Sequence, residues 1–313
     1  MGEWSKQIGE KGEKIMSFLF KEIMGYSTIL ENPPLECIKG DKHQSKTAKK
    51  ERSTHGIDGL ISYKSPLEDK VLDIIVASSK FTSKEYPSTP KTKFKEYLED
   101  IAHTIECFKY SKLISDTKKQ YSNISRTDIC GIIVWPSNAS PLDYELIPHI
   151  SNSIIDPTLN FDRVILVDND RFNFLFETIY NSRKTYGFDK VNVIYHNTGL
   201  NNISQQSLSY GKILPIQYLV SDIIPLRIEK DRGDIEITIY CKNNFNAENL
   251  SQTLSFAKTF DHLDSVSKTN ILFSDYDSLE HIKIVQEQLV KFDKYVLQTN
   301  LEITKYPNDF RNN

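Results

Sequence analysis

The sequence predicts an α/β protein, with a mixed sheet core flanked by helices and a further α/β region towards the C-terminus. Three observations predict this class. Residues 54–81 have the pattern of two strands joined by a polar turn. Short apolar runs alternate with amphipathic segments over 90–197, and strand and helix patterns alternate again over 234–306. We therefore predict a first region over 1–228 and a C-terminal region over 229–313 that contacts a partner or a second copy.

The elements around this predicted hairpin follow from apolar spacing. Apolar residues at three-and-four spacing predict a helix over 5–24, with Gly25 as its terminator. Residues 31–54 are polar and rich in lysine, which predicts a loop or arm. An apolar stripe over 90–122 predicts a long amphipathic helix or a helix pair.

The rest of the chain alternates between the two patterns. The continuous apolar run "ICGIIVWPSN" (129–138) predicts a strand that is buried on both faces. By the same criteria we predict strands at 162–170, 190–197, 234–243, 270–276 and 294–306, and helices at 171–187, 246–263 and 277–293.

The composition narrows the class of protein. The chain has 313 residues, of which 39% are hydrophobic and 26% charged, and a formal net charge of -3. This charge excludes a protein that is basic overall, so any nucleic-acid surface must be a local patch. No apolar run approaches the ~18 residues of a membrane span, and the charged N-terminus has no signal-peptide core.

The four cysteines indicate a reducing compartment. Cys37, Cys107, Cys130 and Cys241 lie far apart and form no C-x-x-C pair. Their spacing is typical of reduced thiols rather than of a disulfide framework, and it argues against a zinc site. We therefore expect a cytoplasmic protein that does not contact a membrane.

The chemistry-bearing residues cluster around the predicted hairpin. Asp58 lies at its start, and Ser78 and Lys80 lie two positions apart at its end, where strand geometry puts both side chains on one face. Glu13, on the first helix, supplies a further carboxylate. Metal-dependent phosphodiester hydrolysis needs such a set, because carboxylates hold Mg²⁺ and a lysine stabilises developing charge.

Three stretches, "GEKGEKIMSFLF", "HGIDGL" and "IIVASSKF", resemble the PD-(D/E)xK nuclease superfamily, which has a restriction-endonuclease-like fold. The resemblance implies that Glu13 is the helix carboxylate, Asp58 the metal-binding aspartate and Lys80 the lysine of the motif. Ser78 occupies the position where the family has an acid. The implied activity is Mg²⁺-dependent cleavage of DNA, with Mn²⁺ as an alternative ion.

The whole chain looks similar to the nuclease subunit of a two-gene bacterial antiphage defence system. This resemblance implies DNA as the target and a second protein subunit as a partner, and a homo-oligomer is compatible with it. Two alternatives stay open. The serine at position 78 favours a catalytically degenerate DNA-binding or scaffold subunit. Asp168 and Asp170, at the end of a predicted strand, could instead centre a hydrolase or phosphotransfer site, unless they only terminate the strand.

A basic segment directly precedes the hairpin. We predict that its members and the following histidine contact nucleic acid: Lys46, Lys49, Lys50, Arg52 and His55. Residues 91–97 and 116–121 add lysines with interleaved aromatic residues. An ordinary solvated surface would have the same composition.

Overall fold

The computed structural model describes residues 3–44, 50–201, 209–260, 266–292 and 300–307. The chain divides into two compact units. The first comprises Met1–Ser65 and Asp69–Asn173, and the second comprises Pro66–Glu68 and Phe174–Asn313.

The first unit is built on a five-stranded mixed sheet. The strands of this sheet are β1 (Leu30–Glu31), β4 (Gly59–Lys64), β5 (Val71–Ser79), β6 (Arg126–Val134) and β7 (Arg163–Val167). Two further short strands, β2 (Leu35–Glu36) and β3 (Thr54–His55), pair with each other in a separate two-stranded sheet. The order in the sheet is β1-β4-β5-β6-β7. The β1–β4 and β4–β5 pairs are antiparallel, and the β5–β6 and β6–β7 pairs are parallel. The predicted hairpin and mixed sheet are therefore confirmed.

Helices flank this sheet. They are α1 (Glu3–Phe18), which continues as a π-helical turn over Leu19–Ile23, α2 (Pro90–Lys109), α3 (Lys112–Lys119), α4 (Ile147–Ile150) and α5 (Asn169–Leu175). The predicted first helix is confirmed, and it ends before Gly25, whose φ of 76° favours glycine. The stripe over 90–122 proves to be a helix pair, because Ser111 caps α3 by accepting a hydrogen bond from the N–H of Ile114.

The core of this unit explains why β5 is apolar along nearly its whole length. Eight of the nine residues of β5 are buried. The strand lies between β4 and β6 in the sheet, and both α1 and α2 contact it. Gly131 of β6 lets α2 approach, since an added Cβ would lie 2.9 Å from Ile105 and 3.0 Å from Ile101. The end of β5 is thus held by packing on several sides.

The second unit contains a six-stranded mixed sheet. Its elements are α6 (Asn181–Tyr186), β8 (Val191–Ile194), β9 (Tyr210–Gly211), β10 (Ile223–Glu229), β11 (Ile235–Cys241), α7 (Ala247–Lys258), β12 (Val266–Phe273), α8 (Ser278–Leu289) and β13 (Asn300–Lys305). The order is β13-β12-β11-β10-β8-β9, with β11, β12 and β13 parallel to one another. The strand and helix alternation predicted over 234–306 is confirmed in the part of it that the structure describes.

The division between the compact units differs from the predicted domain boundary. Residues 228 and 229 both belong to β10, which pairs with β8 on one side and β11 on the other. A boundary at that point would cut through a strand of one sheet, whereas the compact units separate near Asn173. Strand β10 was not predicted from the sequence. The role assigned to the C-terminal region stays a prediction.

The structure also bears on the sequence analysis of the cysteines and of membrane-spanning segments. All four cysteines are free. Among the described residues, the helices are too short or too polar for any of them to cross a membrane.

Candidate active site

Asp58 is fixed at the start of β4 by the end of β5. Its backbone N–H donates to the carbonyl of Ala77 over 3.1 Å. Its Oδ2 accepts a hydrogen bond from the backbone N–H of Ser79 at 2.6 Å and another from the hydroxyl of Ser78 at 3.3 Å. The antiparallel pairing of the two strands therefore determines where this carboxylate lies.

Glu13 reaches the same place because α1 approaches the end of β5 closely. The contact depends on Gly12, where an added Cβ would lie 2.6 Å from Oγ of Ser79 and 2.9 Å from Cβ of Phe81. The Glu13 side chain stays largely in contact with water, but its partial burial and then the negative charge of Asp58 raise the pKa of its carboxyl. The two carboxylates thus affect each other electrostatically.

Lys80 follows β5 directly and lies between two cavities. Its backbone N–H donates to the carbonyl of Val134 at 2.8 Å. Its Nζ lies 3.1 Å from Oδ2 of Asp100 on α2 and 5.3 Å from the ring centre of Tyr97. The ammonium group is therefore held by a helix carboxylate and an aromatic face.

Asp100 is a site residue that the sequence analysis missed. Its Oδ1 accepts a hydrogen bond from Arg52 at 2.8 Å, and its Oδ2 pairs with Lys80. Burial acts to raise the pKa of this carboxyl, but Lys80 and Arg52 outweigh burial, and the pKa is lowered. No local pattern singles it out, because Asp100 is one of several acidic residues of α2 and lies 20 positions from Lys80 along the chain.

The predicted catalytic residues converge. Glu13, Asp58 and Lys80 line one cavity of about 140 Å³, together with Ser79. Ser78 is buried beside this cavity, where its hydroxyl contacts Asp58. Two carboxylates and a lysine that line one cavity form the kind of set that phosphodiester hydrolysis requires.

A larger basic groove lies on the other side of Lys80, with a volume of about 700 Å³. Its lining includes Arg52, Lys80 and three lysines at the start of α2, namely Lys91, Lys93 and Lys95. Of these, Lys93 pairs with Glu96 at 2.7 Å. The lining also includes Glu96, Glu99 and Asp100, and Asp100 pairs with both Arg52 and Lys80. The positive charge that the groove offers to a phosphate backbone therefore comes mainly from Lys91 and Lys95.

The predicted nucleic-acid contacts have different positions. Lys46 and Lys49 lie outside the described residues, whereas Lys50 is exposed and Arg52 lines the groove. His55 requires a correction. It is only 4% exposed, and burial first, followed by the charge of Arg52, lowers the pKa of its imidazole to about 4. A buried neutral imidazole does not present a positive charge to a phosphate.

Asp168 belongs to the scaffold of this unit. It is buried, its Oδ2 accepts from the N–H of Leu146 at 2.9 Å, and its Oδ1 accepts from the N–H of Arg171 at 3.0 Å. The second contact caps α5, and burial raises the pKa of the carboxyl. Both oxygens are thus used by backbone groups, which leaves this aspartate poorly suited to centre a hydrolase site.

The donor set suits a divalent cation with hard oxygen ligands. Two carboxylates meet at one cavity, and the charge of one raises the pKa of the other. An ion between them would remove this repulsion. Glu13 and Asp58 are therefore the residues that fit Mg²⁺ or Mn²⁺.

A mixed sheet that brings a helix glutamate, a strand aspartate and a strand-end lysine to one cavity defines a PD-(D/E)XK nuclease domain. Residues 1–171 match the family model described as the GAPS4 protein PD-(D/E)XK nuclease domain. The chain belongs to this family, whose members generally use divalent metals. The match ends close to Asn173, where the first compact unit ends. Neither the comparison with curated proteins nor that with solved structures found a match.

Proposed function

We propose that this chain is the Mg²⁺-dependent DNA endonuclease subunit of an antiphage defence system and acts with a second protein. The observation that carries the proposal is the convergence of Glu13, Asp58 and Lys80 on one cavity. Membership of the GAPS4 nuclease-domain family supports a nuclease with a role in defence. The four free cysteines support a cytoplasmic location.

Each residue has a distinct role in the proposed reaction. Asp58 and Glu13 would hold the divalent ion, which when bound supplies Lewis-acid stabilisation and an activated water. The N–H of Ser79 keeps the Asp58 carboxylate in place. Lys80 would orient the attacking water and stabilise negative charge on the phosphate, and Asp100 fixes the position of its ammonium group.

The groove beside Lys80 supports a nucleic acid as substrate. Lys91, Lys93 and Lys95 line it, and phosphate contacts from such side chains place a duplex without reading its sequence. A DNA strand bound there would pass Lys80, which also lines the catalytic cavity. The proposal therefore links one binding surface to one reaction centre.

Plasmid cleavage tests the proposal. The chain, alone and with the protein that co-purifies with it, is incubated with supercoiled DNA in Mg²⁺ or in chelator. We expect nicking or linearisation in Mg²⁺ only. Asp58→Ala and Lys80→Ala should reduce the rate at least about 100-fold, since even groups that only support metal ligands cost 10–100-fold. The control is Asp143→Ala, because Asp143 is exposed. Equal cleavage by all variants would remove these residues from the mechanism.

A second candidate is a catalytically degenerate subunit that binds DNA or acts as a scaffold. Ser78 favours it, because a hydroxyl stands where the family has an acid. Under this alternative, the wild-type chain binds DNA equally well in Mg²⁺ and in chelator, Asp58→Ala does not change the affinity, and no cleavage occurs with any partner. The same set of reactions therefore separates the two candidates.

A further inference from the structure

Four metal-binding side chains meet in the first unit, away from the predicted catalytic set. They are Cys37, just after β2, His43, in the following turn, His55, at the end of β3, and Cys107, in the last turn of α2. One ligand atom from each lies within 4.8 Å of the others. All are buried except Cys37, which is half-buried. The sequence had argued against a zinc site because no two cysteines are close along the chain.

Three distances from His43 match the edges of a tetrahedron around one ion. Nδ1 of His43 lies 3.4 Å from Sγ of Cys37, from Sγ of Cys107 and from Nε2 of His55. With Zn–N of about 2.0–2.1 Å and Zn–S of about 2.3 Å, a regular tetrahedron separates two nitrogens by about 3.3–3.4 Å and a nitrogen from a sulfur by about 3.5–3.6 Å. The three distances from His43 thus match zinc geometry, and the remaining pairs of ligand atoms lie within 4.8 Å of one another.

Hydrogen bonds to residues outside the cluster fix the tautomers of His43 and His55, so that the unprotonated ring nitrogen of each faces the cluster. Nε2–H of His43 donates to the Glu106 carboxylate at 2.9 Å, so a neutral His43 has its lone pair on Nδ1. The hydroxyl of Thr104 donates to the carbonyl of Asp100 at 2.8 Å, and it therefore accepts from Nδ1–H of His55 at 3.3 Å. The lone pair of His55 is then on Nε2. The two nitrogen lone pairs then face each other, and either a metal ion between them or a proton on one of them relieves their repulsion.

Hydrogen bonds could satisfy parts of the cluster one at a time. A proton on Nδ1 of His43 would satisfy Nε2 of His55, and the Cys107 sulfur also has hydrogen bonds with Cys37 and the backbone of Ile38. A bound cation with two thiolate ligands satisfies all four atoms together.

We propose that Cys37, His43, His55 and Cys107 bind one structural Zn²⁺ ion. Two thiolates and two imidazoles select zinc over Mg²⁺, which prefers oxygen ligands. Four protein ligands leave no open position for a substrate, as in other structural zinc sites. A carboxylate behind a metal-binding histidine, the place that Glu106 occupies, is a common support in such sites.

The ion would tie the approach to Asp58 to helix α2. His55 precedes Asp58 by three positions, and Cys107 belongs to the helix that carries Asp100. The zinc site would thus hold together two elements that present groups to the candidate active site. It stands independently of the proposed nuclease activity, because its evidence lies in other residues.

Metal analysis of the purified full chain tests the site. The chain is expressed in zinc-supplemented medium, kept reduced and measured by mass spectrometry of the metal. We expect about one zinc per chain. Replacement by Co²⁺ should produce the visible bands of tetrahedral cobalt and a cobalt–thiolate charge-transfer band. Cys37→Ser and Cys107→Ser should lose the metal and both signals. Cys241→Ser is the matched control, since Cys241 lies outside the cluster and contacts the Thr253 hydroxyl.

Two further variants keep the test decisive. Glu106→Gln should fold and bind zinc 10–100-fold more weakly, so it decides the question if a cysteine variant fails to fold. Asp58→Ala should lose DNA cleavage and keep its zinc, which separates the two metal sites. A folded wild-type chain without zinc and without a tetrahedral cobalt spectrum would overturn the proposal, and so would equal zinc content in Cys107→Ser.

Discussion

The hydroxyl of Ser78 donates a hydrogen bond to Oδ2 of Asp58 across 3.3 Å. The family pattern has a carboxylate at this position, which would contribute a second negative charge beside the aspartate. Here the neutral hydroxyl stabilises the aspartate instead. Because a neutral hydroxyl stands in place of an acid, the site is less negative than the family pattern, and Ser78 is only 7% exposed. The presence of serine rather than an acid beside Asp58 should therefore weaken the attraction of the cavity for a divalent ion.

Replacing Ser78 by Asp should restore the family pattern and make the fold depend on metal. In chelator we expect Ser78→Asp to unfold at a lower temperature than wild type, because a buried like-charged pair is unfavourable. Mg²⁺ or Mn²⁺ should raise its unfolding temperature more than that of wild type. Ser78→Ala, which removes the hydroxyl without adding charge, is the control. An unchanged metal response in Ser78→Asp would contradict a metal site at Asp58.

Alanine substitutions at two glycines of α1 should distinguish the effect of helix stability from that of active-site geometry. An added Cβ at Gly12 would collide with Ser79 and Phe81, whereas one at Gly9 meets nothing within 4 Å. Both Gly→Ala changes improve helix propensity by about 1 kcal/mol. Gly9 also lines the catalytic cavity, but its added methyl collides with nothing. We therefore expect Gly9→Ala to stabilise the protein and to slow cleavage less than Gly12→Ala, which should displace Glu13. Thermal melts and cleavage rates check this. Equal behaviour of the two variants would show that the close approach of α1 is not required.

The charge of Glu13 should make the metal-free protein less stable as the pH rises. Because partial burial and Asp58 raise its pKa in the folded state, stability is full below the usual carboxyl pKa and falls as the pH rises through the raised value. Glu13→Gln should therefore match wild type in acid, be more stable at neutral pH in chelator, and lose cleavage. Unfolding by denaturant across pH checks this. Glu85→Gln, at an exposed position, should follow wild type.

If Glu13→Gln raised the free energy of unfolding by the same amount at every pH, the charge of Glu13 would not be the cause of the stabilisation.

The electrostatic interaction between Glu13 and Asp58 can also be measured directly. In Asp58→Asn, the loss of the neighbouring charge should lower the pKa of Glu13, which a titration followed by nuclear magnetic resonance would detect. An unchanged pKa would mean that the two carboxyls do not interact.

The groove lysines should control affinity for DNA and its salt dependence. Lys91→Gln and Lys95→Gln each remove one positive charge from the groove. We expect weaker binding to every sequence, and a slope of log affinity against log salt that falls by roughly one for each lysine that contacts a phosphate. Fluorescence anisotropy at several salt concentrations checks this. Lys64→Gln, an exposed position at the end of β4 outside the groove lining, is the control. Equal slopes for all variants would place the DNA elsewhere.

Local sequence patterns were enough to predict most helices and strands, and also two residues of the candidate active site, Asp58 and Lys80. The apolar run of β5 and the stripe of α2 are repeated along many residues, so each is visible in the sequence. Asp58 and Lys80 could be predicted because a hairpin brings the start of one strand to the end of the next. The identity of the acid that pairs with Lys80 could not, since Asp100 comes from a helix that folds back over the sheet.

Tertiary structure alone decided the other features. The Cys37–His43–His55–Cys107 cluster joins residues such as His43 and Cys107, which are 64 positions apart, and a single side chain leaves no periodic pattern that would reveal its distant neighbours. His55 was predicted to contact nucleic acid because it follows a basic segment, but the packing of β3 against α2 buries it. The sequence by itself thus determined elements that depend on repeated spacing, and only the folded chain decided contacts between single residues far apart along it.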